Sequence, residues 1–169
     1  MNKSIRRAAM VLVLLFSCSV FAVTVKTDIL VQAEVSTSVR VYVDGNDVTN
    51  GTISVELKDN AGYMTGTTPP FLFIGNASTV SLSLTEPAKQ ELTSEKRDTM
   101  KINSSWIRED GGLVSVSFPL FNQPVYPTLA DVRDPKKGVK IQFRSAQRSE
   151  TYPLGTYSGT YIVMVTPST

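Results

Sequence analysis

Histidine is absent from all 169 residues, and cysteine occurs once, at Cys18. Without histidine the commonest general base is missing, and with it the Ser-His-Asp arrangement and His-containing zinc sites. Cys18 lies in an apolar leader, so removal of that leader also removes thiol catalysis, thiolate metal sites and disulfides from the remaining chain. A surplus of one charge sign is lacking too. Lys3, Arg6 and Arg7 belong to the leader, and without them 14 basic residues face 15 acidic ones. The counterion release that drives nucleic-acid binding needs a concentrated basic surface, so nucleic acid is not expected as a partner. No stretch carries a capped helical period.

The leader explains the basic excess of the full chain. Lys3, Arg6 and Arg7 form a basic start, Ala8 to Phe16 is almost wholly apolar, and Val20-Phe21-Ala22 ends in a small residue suited to cleavage. Residues 1–22 are therefore expected to be a secretory signal peptide, leaving 147 residues. The apolar run is too short to span a bilayer, and the alternating segment after it does not extend it. Arg6-Arg7 lacks the further pattern of twin-arginine export. Leu15-Phe16-Ser17-Cys18 loosely resembles a lipoprotein cleavage box, which makes a lipid-anchored periplasmic β-sandwich an alternative. Bulky Phe16 speaks against it.

Little chemistry survives these exclusions, and an enzyme is not expected. No Ser-x-x-Lys pattern has suitable surroundings, and Glu109-Asp110 in "REDGG" reads as a solvated hairpin tip. "DGNDVTNG" (Asp44 to Gly51) places Asp44 and Asn46 at alternate positions but puts Val48 and Thr49 where a calcium loop needs a ligand and a glycine. Its Asp-Gly and Asn-Gly pairs read as turns between "VRVYV" and "TISVEL". Asn76-Ala77-Ser78 and Asn103-Ser104-Ser105 match glycosylation sequons, a weak pattern. Neither a metal nor a cofactor is expected.

What the chain does have is period-two alternation with turn residues between. Strands are predicted over 23–35, 38–43, 52–57, 71–73, 79–84, 100–107, 112–118, 140–144 and 159–166, which points to an all-β antiparallel sandwich. Glu86 to Lys96 is expected as a loop with at most one helical turn. Pro124 to Gly138 is expected as a long exposed connection. Its charged residues Asp131, Arg133, Asp134, Lys136 and Lys137, with Lys140, Arg144 and Arg148 beyond, could meet anionic host glycans. The interleaving of acids with bases favours a solvated face. Trp106 is read as core rather than as a carbohydrate platform.

The first strand carries the strongest signal. In "VTVKTDILVQAEV" (Val23 to Val35) the odd positions are Val23, Val25, Thr27, Ile29, Val31, Ala33 and Val35, and the even positions are polar apart from Leu30. Such a long, flat, apolar-faced strand at a chain end must be covered, either in its own domain or by another chain. Burying Val25, Ile29, Val31 and Val35 at about 1.5–3 kcal/mol each is roughly 6–12 kcal/mol gross, comparable with the net stability of a small domain.

At the other end, "GTYSGTYIVMVTPST" (Gly155 to Thr169) runs from a Gly-rich turn into an aliphatic strand and a short polar tail. These residues resemble the carboxyl terminus of chaperone–usher fimbrial subunits, in particular the CS1 and CFA/I-type pilins of the alpha class. Val25 to Val35 is similar to that family's donor strand, Asp44-Gly45-Asn46 to a family turn, and "INSSW" (Ile102 to Trp106) with "LVSVSFPLF" loosely to its Trp-containing strand and the next. Ser36-Thr37 stands where the family often has Asp-Pro.

The resemblance implies an incomplete immunoglobulin-like β-sandwich completed by donor-strand complementation, with a donor strand at 23–35 and a pilin domain at 36–169. It implies a structural subunit that polymerises into a surface fimbria for adhesion to host cells. Its partners would be neighbouring copies of itself, a periplasmic chaperone and an outer-membrane usher, with a tip adhesin and a host receptor as further candidates. A minor or tip adhesive module is the alternative. Residue by residue, the groove-filling role falls to Val25, Thr27, Ile29, Val31, Ala33 and Val35, whose neighbour is then expected in another molecule. Tyr157, Gly159, Tyr161, Val163 and Val165 fall on the strand beside the groove, where the chaperone pairs first.

Overall fold

The fold was established from a computed structural model that describes residues 25–33 and 38–168. It is all-β, with strands β1 (Val25–Ala33), β2 (Val39–Val43), β3 (Asn46–Asp47), β4 (Thr52–Asn60), β5 (Tyr63–Thr67), β6 (Leu72–Gly75), β7 (Thr79–Thr85), β8 (Glu91–Ser94), β9 (Thr99–Ile107), β10 (Leu113–Ser115), β11 (Leu120–Tyr126), β12 (Lys140–Ser145), β13 (Tyr157–Ser158) and β14 (Thr160–Ser168). Short 3-10 turns are the only helical pieces among the described residues. None is long and apolar enough to cross a membrane.

The strands form one sandwich- or barrel-like sheet. From β1 the ladder runs through β4, β5, β12, β9 and β8 to β13, and β13 pairs back to β1, so this part closes on itself. From β14 a second arm runs through β7, β11, β6 and β2 to the two-residue edge strand β3. Closure removes sheet edges that would otherwise invite association.

Local sequence accounts for much of this. The alternation of "VRVYV" buries Val39, Val41 and Val43 along β2. Asp44 and Gly45 both take positive φ, 49° and 79°, as the tight β2–β3 turn demands. Ala61 and Gly62 repeat that geometry between β4 and β5. Trp106, Tyr157, Tyr161, Phe71 and Phe143 are the bulkiest fully buried side chains, and the Phe143 and Tyr161 rings meet at 4.8 Å. Trp106 is core, as read from its flanking residues.

Several expectations need correction. Within 86–96 only Ala88–Gln90 makes a helical turn, and Glu91–Ser94 forms β8, with Leu92 fully buried. Sparse apolar content concealed a strand whose pairing to β9 and β13 supplies the stability. Pro124 begins no loop: Pro124, Val125 and Tyr126 belong to β11, and the exposed connection starts at Pro127. The strand expected over 112–118 stops at Ser115, and a turn leads into β11. β3 and β13, two residues each, are too short for periodicity to reveal, and β5, "YMTGT" with Gly66 in it, has no apolar alternation to read. The leader, Val23, Val35 and the Ser36-Thr37 junction lie outside the described residues.

Candidate strand-docking site

The first and last described strands lie side by side. β1 runs parallel to β14, with Asp28 beside Thr160, Ile29 beside Tyr161, Val31 beside Val163 and Ala33 beside Val165. Its other edge pairs antiparallel with β4, from Val25 beside Leu57 to Leu30 beside Thr52. Parallel neighbours require a crossover between them, and here the whole body of the domain provides it. The partner expected in another molecule is thus present within the same chain, on both edges.

Where side chains are described, the predicted inward face is the observed one. Val25, Thr27 and Ile29 are fully buried, whereas Lys26, Asp28 and Gln32 are exposed. Leu30, the apolar exception among the even positions, is half-buried and sits beside half-buried Ile162. Val31 and Ala33 keep the register, but their side chains lie outside the description. Of the facing set, Tyr161, Val163 and Val165 are buried on β14, Tyr157 is buried on β13 beside Val25, and Gly159 falls between the two strands.

Polar contacts fix the seat at its amino-terminal half. The Gly159 carbonyl accepts from the Asp28 backbone N–H at 2.9 Å and from the Thr27 hydroxyl at 3.1 Å. On the outer face the Ser54 hydroxyl donates to the Asp28 carboxylate at 2.8 Å. Glycine at 159 has a steric reason, since a Cβ there would stand 2.6 Å from Leu92 Cδ2 inside the core.

Beneath the seat lies a polar residue of the core. Burial pushes the Tyr161 phenol up to about 12. Among the described residues the Tyr161 and Ser104 hydroxyls, the Trp106 indole nitrogen and Glu86 Oε1 are buried without a partner within hydrogen-bond geometry. Burial also raises the Tyr157 phenol, which donates to the Pro153 carbonyl at 2.8 Å.

The charged connection after β11 is a different kind of surface. Asp131 accepts from the Thr128 N–H and hydroxyl, and Asp134 accepts from the Lys136 N–H, so these acids cap short turns. Arg148 pairs with Glu150 at 2.6 Å, and the Arg144 guanidinium stacks 4.0 Å over the Tyr63 ring. Lys136 and Lys140 border an apolar groove of about 510 Å³ floored by Leu72, Leu129 and Val132. Sequence reading missed this groove because its walls come from three separated segments. It also missed exposed Phe118 and Phe121, which flank the start of β11, where Asn122 takes a φ of 57° at a register shift.

β1 therefore lies between β4 and β14, held by main-chain pairing on both edges and by alternate side chains directed inward. No protein-family model and no curated protein matches this chain.

Proposed function

We propose that the chain is a structural subunit of a fimbria on the surface of a Gram-negative bacterium, polymerising when its amino-terminal strand is exchanged into the slot between β4 and β14 of a neighbouring copy. One observation carries the reading. β1, the first described strand, is paired on both edges and buried at Val25, Thr27 and Ile29. With the leader removed, as this reading supposes, such a segment leaves without unthreading any loop, and a neighbour's identical strand can satisfy the same ladders. In this reading the domain is an incomplete immunoglobulin-like sandwich, its own strand closes the slot before assembly, and a periplasmic chaperone and an outer-membrane usher manage the exchange. The head-to-tail contact does not close on itself and so yields a fibre.

Electron microscopy of cells or purified material carrying the full chain, beside a version lacking Val23 to Val35, tests this. Fibres are expected only from the full chain, and fibres from the shortened chain overturn the reading. Ile29→Asp is expected to abolish fibres while chaperone binding, which uses the β14 edge, persists.

A second reading, a minor or tip adhesive module, draws on the groove bordered by Lys136 and Lys140. A glycan array probed with assembled fibres separates it: binding that is lost with Lys136→Glu and Lys140→Glu supports adhesion through this surface.

A further inference from the structure

We propose that Lys26, Thr27 and Asp28 form a register code that determines which strand, and which alignment of it, the slot between β4 and β14 accepts. Alternating apolar residues fix the buried face of a strand but not its alignment, because a slip of two residues returns every side chain to the same face. Val25 and Ile29 are both aliphatic and fully buried, so neither marks a particular alignment on the inner face. Register needs something that repeats less often, and the polar triplet supplies it.

Thr27 is the polar member of the described inner face and is fully buried, its hydroxyl satisfied by the Gly159 carbonyl. A slip of two residues carries that hydroxyl to the place of Val25, between Leu57 and Tyr157, or to the place of Ile29, between Ile53 and Tyr161. In either position it loses the Gly159 carbonyl, and a buried hydroxyl without a partner is strongly disfavoured.

The outer face distinguishes the two slips from each other. In the observed alignment Lys26 is the register neighbour of Glu56, which has its ion pair with Lys58 at 4.0 Å, and Asp28 accepts a hydrogen bond from Ser54, so opposite charges stand opposite each other and one hydrogen bond forms. Sliding β1 so that Lys26 reaches Lys58 also brings Asp28 to Glu56, which makes two like-charge neighbours at once. Sliding it the other way places Lys26 at Ser54 and Asp28 at Thr52, losing both favourable contacts. One direction is repelled, the other merely unrewarded, and the observed alignment alone satisfies all three residues.

The consequence for assembly rests on the strand-exchange reading above: the slot then selects a second copy of this chain through the order Lys-Thr-Asp within an alternating strand. The code itself is testable inside one molecule whether or not fibres form. In a Cys18→Ser background, Leu30→Cys is combined in turn with Ile162→Cys, Thr160→Cys or Met164→Cys, and cross-link yields are read by mass spectrometry. The first pair reports the observed register and the other two report the slips.

With the natural triplet, the Ile162→Cys pair is expected to dominate. Adding Lys26→Asp, Thr27→Val and Asp28→Lys turns the repelled slip into two opposite-charge pairs, and the ratio of Thr160→Cys to Ile162→Cys product should rise at least about tenfold. Thr27→Ser keeps the hydroxyl and should leave the ratio unchanged, while Thr27→Val alone should raise both slipped products. Each variant is checked for cooperative unfolding. If the charge exchange folds and leaves the ratio where it was, the triplet does not set the register. If the ratio moves but fibre assembly is indifferent to the triplet, the code stands and the exchange reading loses its support.

Discussion

The seam between β1 and β14 and the connection from Pro127 to Gly138 are built on opposite terms. Along the seam the described side chains facing inward are buried and, apart from Thr27, aliphatic or aromatic, and the Thr27 hydroxyl is satisfied by the Gly159 carbonyl. Along the connection the charged side chains are exposed, the acids cap turns, and the apolar groove beside them is open to solvent. The seam is ordered by backbone pairing in a fixed register, both properties of an extended chain. The connection has no such regularity, and its acids Asp131 and Asp134 are held by local turns.

Substitutions that invert this contrast should have very unequal effects. Ile29→Asp places a carboxylate at a fully buried position between Ile53 and Tyr161, and a loss of about 4 kcal/mol or more is expected in urea unfolding. Lys136→Asp on the connection should stay within about 0.5 kcal/mol of the parent. Comparable losses at the two sites would erase the distinction.

Gly159→Val probes the close approach behind the seam. Its Cβ must displace Leu92, so destabilisation of about 1–3 kcal/mol is expected, with a cooperative transition retained.

Tyr161 gives the seam a dependence on pH. Its phenol is raised from 10.0 to about 12 in the folded chain, so folding favours the neutral form. The associated stability is fully present below pH 10 and is lost as pH rises toward 12, about 2–3 kcal/mol in all. Tyr161→Phe removes this titration and discards a hydroxyl that has no partner among the described residues. Urea midpoints at pH 8 and pH 11.5 should therefore fall less for the variant than for the parent. An equal fall would mean that another group governs the alkaline limb.

The smallest effect is expected at Leu129, which is 39% exposed beside the groove. Leu129→Ser should change stability by no more than about 0.5 kcal/mol. A larger loss would show that the groove is part of the core.

The inner face of β1 was legible because a period of two over a long segment has a single amphipathic solution, and Val25, Thr27 and Ile29 lie where that solution puts them. The Asp44-Gly45 turn and the burial of Trp106 were legible for similarly local reasons. β8 was not, since Glu91 to Ser94 has only one fully buried aliphatic residue, Leu92, and owes its conformation to neighbours distant in sequence. The groove beside Lys136 and Lys140 was not either, because Asp44, Leu72 and Leu129 meet only after the sheet has closed.

By itself the sequence determined the class of structure and the face each long strand would bury, because side-chain direction follows from backbone period alone. Which strands became neighbours, that β1 lies parallel to β14 rather than elsewhere, and that Thr27 meets Gly159 were decided by tertiary structure. Pairing partners and register depend on contacts between residues far apart in the chain. Two alignments with the same pattern of buried and exposed positions differ only in which buried hydroxyl finds a carbonyl and which charges become neighbours.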